Sequence, residues 1–260
     1  MDSPIPIGIC VGPERVALLA EGYSFTELTV VSSLTPLESD EEFATRRSLL
    51  TELKPPIRAF NVFVPAQIKL VGPETSIEQV KMYVQRALKR VNDLGGEVVV
   101  FGSGGARAVP EGFSRAKAWE QLVRFLEICS DEAAKFGITI AIEPLNTRET
   151  NIINSYLEGI QLARDVGREE IRVLADIYHF MMENEPVDDI AGEPAWLAHV
   201  HLADTGRRYP GSGMYPLERL FTILHEIDYP GMVSVECSWG DDFTDETRRA
   251  LRFLRPLAGY

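Results

Sequence analysis

Apolar residues along the chain fall into two alternating rhythms. Short β-branched runs recur at IGICV (7–11), FTELTV (25–30), IRAFNVFV (57–64), EVVVFG (97–102), ITIAIEPL (138–145), IRVLADIY (171–178), LAHVHLAD (197–204) and MVSVECS (232–238), which predicts eight strands. Between them the spacing lengthens to three and four residues. Ile77, Val80, Val84, Leu88 and Val91 repeat this way, as do Leu217, Leu220, Leu224 and Ile227, which predicts amphipathic helices. The punctuation agrees with the rhythm. Ser39 with Glu42, Ser76 with Gln79 and Ser155 with Glu158 have capping-box spacing, and Gly95, Gly137 and Gly167 stand where a left-handed residue ends a helix.

Strand and helix alternating throughout predict a parallel sheet, and eight such units in 260 residues match the size of a closed (β/α)8 TIM barrel. The expected organisation is one α/β domain over residues 1–260, without a linker. A doubly wound open sheet is the alternative, but no strand-to-helix turn carries G-x-G-x-x-G. FGSGGARAVPEG (101–112) lacks that spacing and an immediate helix start, so its glycines are read as a tight turn rather than a phosphate cradle.

Charge narrows the partners. Lysine and arginine number 26 against 39 aspartates and glutamates, a net charge of -13, which argues against nucleic acid. No apolar stretch reaches the length of a membrane helix, so no membrane partner is expected. Cys10, Cys129 and Cys237 are scattered and odd in number, and MDSPIPIGIC has neither a basic region nor a long apolar run. The expected setting is a reducing cytoplasm, with association into a symmetric homo-oligomer through outer helices open to a barrel of this size.

Polar residues inside the apolar runs point to the chemistry. Glu143, Asp176, His201 and Glu236 lie near the C-terminal ends of the fifth, sixth, seventh and eighth runs, and in a barrel those ends converge on one mouth. Buried carboxylates are costly unless paired or bound to metal. Three carboxylates and one imidazole in register therefore predict one divalent cation, and an oxygen-rich shell favours manganese, magnesium or cobalt. Zinc is retained as an alternative. His199 points to the same side as His201, one layer below, and is read as a hydrogen-bonded core imidazole. Trp239, three residues beyond Glu236, is expected to enter the pocket. Arg107 and Arg115 are read as solvated surface arginines.

At these positions the chain resembles a known family. IEPLN with Glu143 and Glu149, ADIYHF with Asp176 and His179, HVHLADTGRRYPGSG with His201 and Arg207, and SVECS with Glu236 look like the xylose isomerase-like TIM barrels, most of all the D-tagatose 3-epimerase and hydroxypyruvate isomerase groups. That resemblance implies that Glu143, Asp176, His201 and Glu236 hold one divalent metal, and that Glu149, His179 and Arg207 contact oxygens of a bound sugar. One departure stands out: relatives often read EPLNR, then one residue and glutamate, whereas here Arg148 is displaced by one place.

The expected activity is sugar isomerisation or epimerisation through proton abstraction alpha to a carbonyl and an enediolate, with Glu143 and Glu236 as the acid–base pair. A metal-dependent dehydratase of a keto-polyol or keto-acid begins with the same step and is the alternative. An abasic-site endonuclease-like DNA hydrolase ranks below both, because such enzymes need additional histidines from earlier strands and the only ones here are His179, His199, His201 and His225.

Overall fold

The computed structural model describes residues 3–260. Eight strands form it: β1 (Ile7–Cys10), β2 (Phe25–Thr29), β3 (Ile57–Asn61), β4 (Val98–Phe101), β5 (Thr139–Ile142), β6 (Ile171–Asp176), β7 (Leu197–Leu202) and β8 (Met232–Val235). Each pairs in parallel with the next, and β8 closes on β1 with Ile7 opposite Val233 and Ile9 opposite Val235. The architecture is a (β/α)8 TIM barrel, as the alternation predicts. Every strand is shorter than its apolar run, and trailing residues of the third, fourth, fifth and eighth runs line the mouth.

The helices are α1 (Asp40–Thr51), α2 (Ile77–Asp93), α3 (Gly104–Arg107), α4 (Arg115–Ala133), α5 (Tyr156–Val166), α6 (Ile177–Glu183), α7 (Asp189–Gly192), α8 (Leu217–Glu226) and α9 (Phe243–Leu257). A 3-10 turn, Pro13–Leu18, replaces a helix between β1 and β2. Gly95, Gly137 and Gly167 take the left-handed backbone at φ 77°, 67° and 64°. Only one predicted capping box is complete: Ser39 Oγ accepts the Glu42 N–H at 3.3 Å while Glu42 accepts the Ser39 N–H at 2.8 Å. Ser155 caps α5 through the Glu158 N–H, but the Glu158 carboxylate instead accepts the Asn154 N–H and pairs with Arg115.

Two apolar layers hold the barrel. Inside, Phe25, Ala59, Val98, Val100, Ala141, Leu174 and Met232 fill the lower part; outside, the strand residues facing outward pack beneath the helices. Filling the lower barrel with side chains leaves the polar groups at its top.

Arg107 corrects the sequence expectation. It is fully buried, not solvated, because α3 begins three residues after β4 and turns it inward. Its guanidinium donates to the carbonyls of Phe101 (3.1 Å), Glu143 (2.9 Å) and Ile153 (3.4 Å), tying the ends of β4 and β5 to the loop before α5. Arg115, by contrast, is exposed as expected. Buried Arg90 does related work at the mouth loop, donating to the carbonyls of Leu34, Thr35, Glu38 and Ser39. Arg107→Met strands three carbonyl acceptors and should lower stability by about 3 kcal/mol, a fall in Tm of roughly 6–12 °C for a domain of this size. Calorimetry checks this; an unchanged Tm would show the carbonyls finding other donors.

Candidate metal centre and substrate cavity

Each predicted ligand is delivered by a strand end. Asp176 is the last residue of β6, His201 lies within β7 directly opposite Asp176, and Glu143 and Glu236 follow β5 and β8 by one residue. One ligand atom from each of the four can be chosen so that all lie within 4.8 Å of one another. His201 Nδ1 sits 3.2 Å from Glu143 Oε1 and 3.5 Å from Glu236 Oε2. Asp176 Oδ1 caps α6 by accepting the Tyr178 N–H at 2.7 Å, while its buried Oδ2 has no hydrogen-bond partner. A buried carboxylate oxygen left unpaired among two further carboxylates and an imidazole fits a divalent cation, and the donor set suits it chemically.

The electrostatics agree. Burial pushes the Asp176 carboxyl up to about 6, partly opposed by His179. Burial also works against charge on Glu236, but His201 and Arg207 outweigh it and hold that carboxyl below the usual range. His201 is pushed well up: burial opposes its charge, and Glu27 and Glu236 overcome the opposition. A cation in the centre would take over the role that the imidazolium plays without it.

Gly102 makes room for Glu143. A Cβ there would lie 2.2 Å from Glu143 Oε2, so a side chain at this position displaces the carboxylate. The last residues of the predicted fourth run are thus shaped by the ligand of the fifth.

A second tier of polar groups surrounds the four. The His179 Nδ1 accepts the backbone N–H of Asn146 at 3.1 Å, which assigns the proton to Nε2. That nitrogen faces Asp176 Oδ2 at 3.5 Å. Glu149 accepts from Asn146 Nδ2 at 2.9 Å and lies 3.5 Å from Arg207 Nη1. Arg207 in turn donates to Glu236 at 2.7 Å, and its guanidinium rests over the Tyr178 ring, 4.6 Å from the centroid. Its backbone is left-handed at φ 59°, a conformation costing about 1–3 kcal/mol for such a residue; the Ser238 N–H donates to its carbonyl and fixes the turn.

These groups open into a cavity of about 470 Å³, within the range of small-molecule sites. Glu143, Glu149, His179, Arg207 and Glu236 line it with Asn61, and Val31, Val62, Val64, Pro65, Ala66 and Leu145 form its apolar side. Trp239 is not among the lining residues: its ring meets Phe243 edge-on at 5.4 Å, and its indole N–H is buried without a partner. Helix α3, which the glycine-rich segment was expected to lack, starts at Gly104 beside the cavity.

Three residues of the site escaped the sequence reading. Asn61 donates to Glu236 Oε1 at 3.1 Å, Asn146 links His179 to Glu149, and Glu27 accepts from both His199 and His201. Only Glu27 carried a visible signal, a charge in the middle of the apolar run FTELTV. His199 lies below His201 as expected.

A closed parallel barrel with three carboxylates and one imidazole gathered at its mouth defines a class, the TIM barrels built around a candidate divalent-metal site. Residues 16–257 match the model of the xylose isomerase-like TIM barrels, and the chain belongs to that family. Over 108 residues it is 33% identical to the D-psicose 3-epimerase of Agrobacterium fabrum, covering 41% of this chain and 37% of that relative. Over 152 residues it is 32% identical to the L-ribulose 3-epimerase of Methylomonas sp., covering 51% and 53%. The matches thus span about half or less of those relatives. In fold the likeness is complete: a D-psicose 3-epimerase crystallised in the presence of D-fructose superposes with a TM-score of 0.82 over 98% of this chain and 100% of that one, at 21% identity. Among the described residues no helix is long and apolar enough to cross a membrane.

Proposed function

We propose that the protein is a divalent-metal-dependent sugar isomerase, specifically a ketose epimerase, working through proton abstraction alpha to the carbonyl. The observation that supports this most directly is the convergence of Glu143, Asp176, His201 and Glu236 within 4.8 Å beside a cavity lined by further sugar-compatible groups. Those four residues would hold the ion, with manganese the preferred occupant of an oxygen-rich set. When bound, the ion supplies Lewis-acid stabilisation of the negative charge that builds on the substrate oxygens.

The chain's own groups supply the rest. Glu143 and Glu236 come from strands three apart around the barrel, so they are assigned to opposite faces of the substrate, one taking the proton and the other returning it. Return on the opposite face inverts the carbon. His179, with its proton on Nε2, is a donor to a substrate oxygen, and Glu149 and Arg207 fix hydroxyl groups. Leu145 and Val64 keep the cavity apolar on the facing side, which strengthens each of these contacts. Aldose–ketose isomerisation and loss of a β-hydroxyl begin with the same abstraction. The two relatives described above, both 3-epimerases, favour epimerisation.

The same reading assigns a small sugar as substrate, and the net charge of -13 argues against DNA. Free Cys10, Cys129 and Cys237 support the cytoplasm as its setting.

Proton NMR of a panel of ketoses and keto-polyols in D₂O, with the manganese-loaded protein, tests the proposal. Deuterium at a carbon next to the carbonyl, together with the inverted product, is the expected result; no exchange with any member would overturn it. Gly102→Ala, which crowds Glu143, should slow that exchange by about 10²-fold with little change in Tm. Exchange at the wild-type rate would mean that Glu143 tolerates the displacement.

A further inference from the structure

Glu27 lies at 0% exposure on β2, inside the barrel, and no arginine or lysine reaches it among the described residues. Its two oxygens are divided between two imidazoles. Oε1 meets His201 Nε2 at 2.9 Å and Oε2 meets His199 Nε2 at 2.8 Å, with the two rings edge-on at 5.2 Å. An ionised carboxylate only accepts, so each Nε2 must carry its proton and donate it. For His201 that choice has a consequence at the other nitrogen. With Nε2 held as the donor to Glu27, Nδ1 is the nitrogen that faces Glu143 and Glu236, and it is the one whose lone pair is available to an ion bound between them.

We infer that Glu27 is a positioning residue that fixes His201 as a metal ligand, holding its ring and its tautomer through Nε2 while His199 anchors the second oxygen from below. Carboxylates in this relation to a ligating histidine make it a stronger donor, and their loss typically weakens metal affinity 10–100-fold. His199 is the part that makes the arrangement specific. Without it, one Glu27 oxygen would be buried and unpaired, and the carboxylate would be free to rotate away from His201. Among the described residues, Ser234 Oγ, 3.2 Å from His199 Nε2, is the only other side chain hydrogen-bonded at that nitrogen.

This inference rests on the metal site proposed above, and its test does not depend on catalysis. Glu27→Gln keeps the shape but replaces one acceptor oxygen with an NH₂ donor. The amide can satisfy only one of the two Nε2–H groups; turned toward His201 it forces the proton onto Nδ1 and removes the lone pair. Manganese titration of the folded variant should show affinity reduced 10–100-fold. In zinc-loaded, ¹⁵N-histidine-labelled wild type, His201 should show a protonated Nε2 coupled to a metal-bound Nδ1, a signature that Glu27→Gln alters. Wild-type affinity in Glu27→Gln with an unchanged His201 spectrum would overturn the inference. If the variant does not fold, the wild-type spectrum decides alone: Nε2–H supports Glu27, and Nδ1–H overturns it. A wild type that binds no ion removes both this inference and the metal site, whereas one that binds an ion but exchanges no sugar proton removes only the activity.

Discussion

Glu143→Gln should abolish interconversion of the epimers while leaving the barrel folded. A positioned general base contributes typically 10²–10⁴-fold, so a fall of at least about 10³-fold is expected where the same group also loses its charge as a ligand. The amide fits the space: Gly102 leaves room for the side chain, and Arg107 holds the Glu143 carbonyl rather than the carboxylate, so the substitution removes chemistry without removing support. Glu236→Gln should be as severe for inversion, but its packing consequences differ. Asn61 and Arg207 donate to different oxygens of that carboxylate, and an amide can accept from only one of them. Following deuterium from each epimer separately distinguishes the two faces. If both carboxylates act as assigned, neither single variant interconverts epimers, and any residual exchange without inversion comes from opposite epimers in the two variants. Full interconversion in Glu143→Gln would sink the assignment.

Much of the machinery these variants test was legible in the sequence, for a physical reason. A charged side chain at the end of an apolar run is costly enough to demand a partner, and Glu143, Asp176, His201 and Glu236 all stood out this way. The barrel was legible because alternation of two periodicities leaves few topologies for eight parallel strands. Glu27 had the same signature as Glu143, yet its meaning depends on partners 172 and 174 residues away, which no local pattern displays. Asn61 and Asn146 bear no charge, and amides at strand ends are ordinary. Arg107 was misread because its partners are backbone carbonyls, which every sequence contains and none advertises. Trp239 lies three residues past a ligand, a spacing that does not display its edge-on contact with Phe243.

Removing the divalent ion should cost both activity and stability. Chelated protein is expected to retain less than about 1% of its turnover, given that metal polarisation and the acid–base pair act as one unit. The stability arm follows from the ligands themselves. Asp176 Oδ2 is buried with no hydrogen-bond partner, and three carboxylates gather around one imidazole. An ion bound at a hundred times its Kd stabilises the fold by about 2.7 kcal/mol, which for a domain of this size raises Tm by roughly 5–10 °C. The increment should vanish in Asp176→Asn, because the amide supplies its own hydrogen atoms to the site and removes one charge. Calorimetry with and without manganese, and turnover after chelation and re-addition, check both arms. A chelated protein with undiminished turnover would rule out a metal-dependent mechanism, and an ion that leaves Tm unmoved at saturating concentration would show that the folded chain holds it no more tightly than the unfolded one.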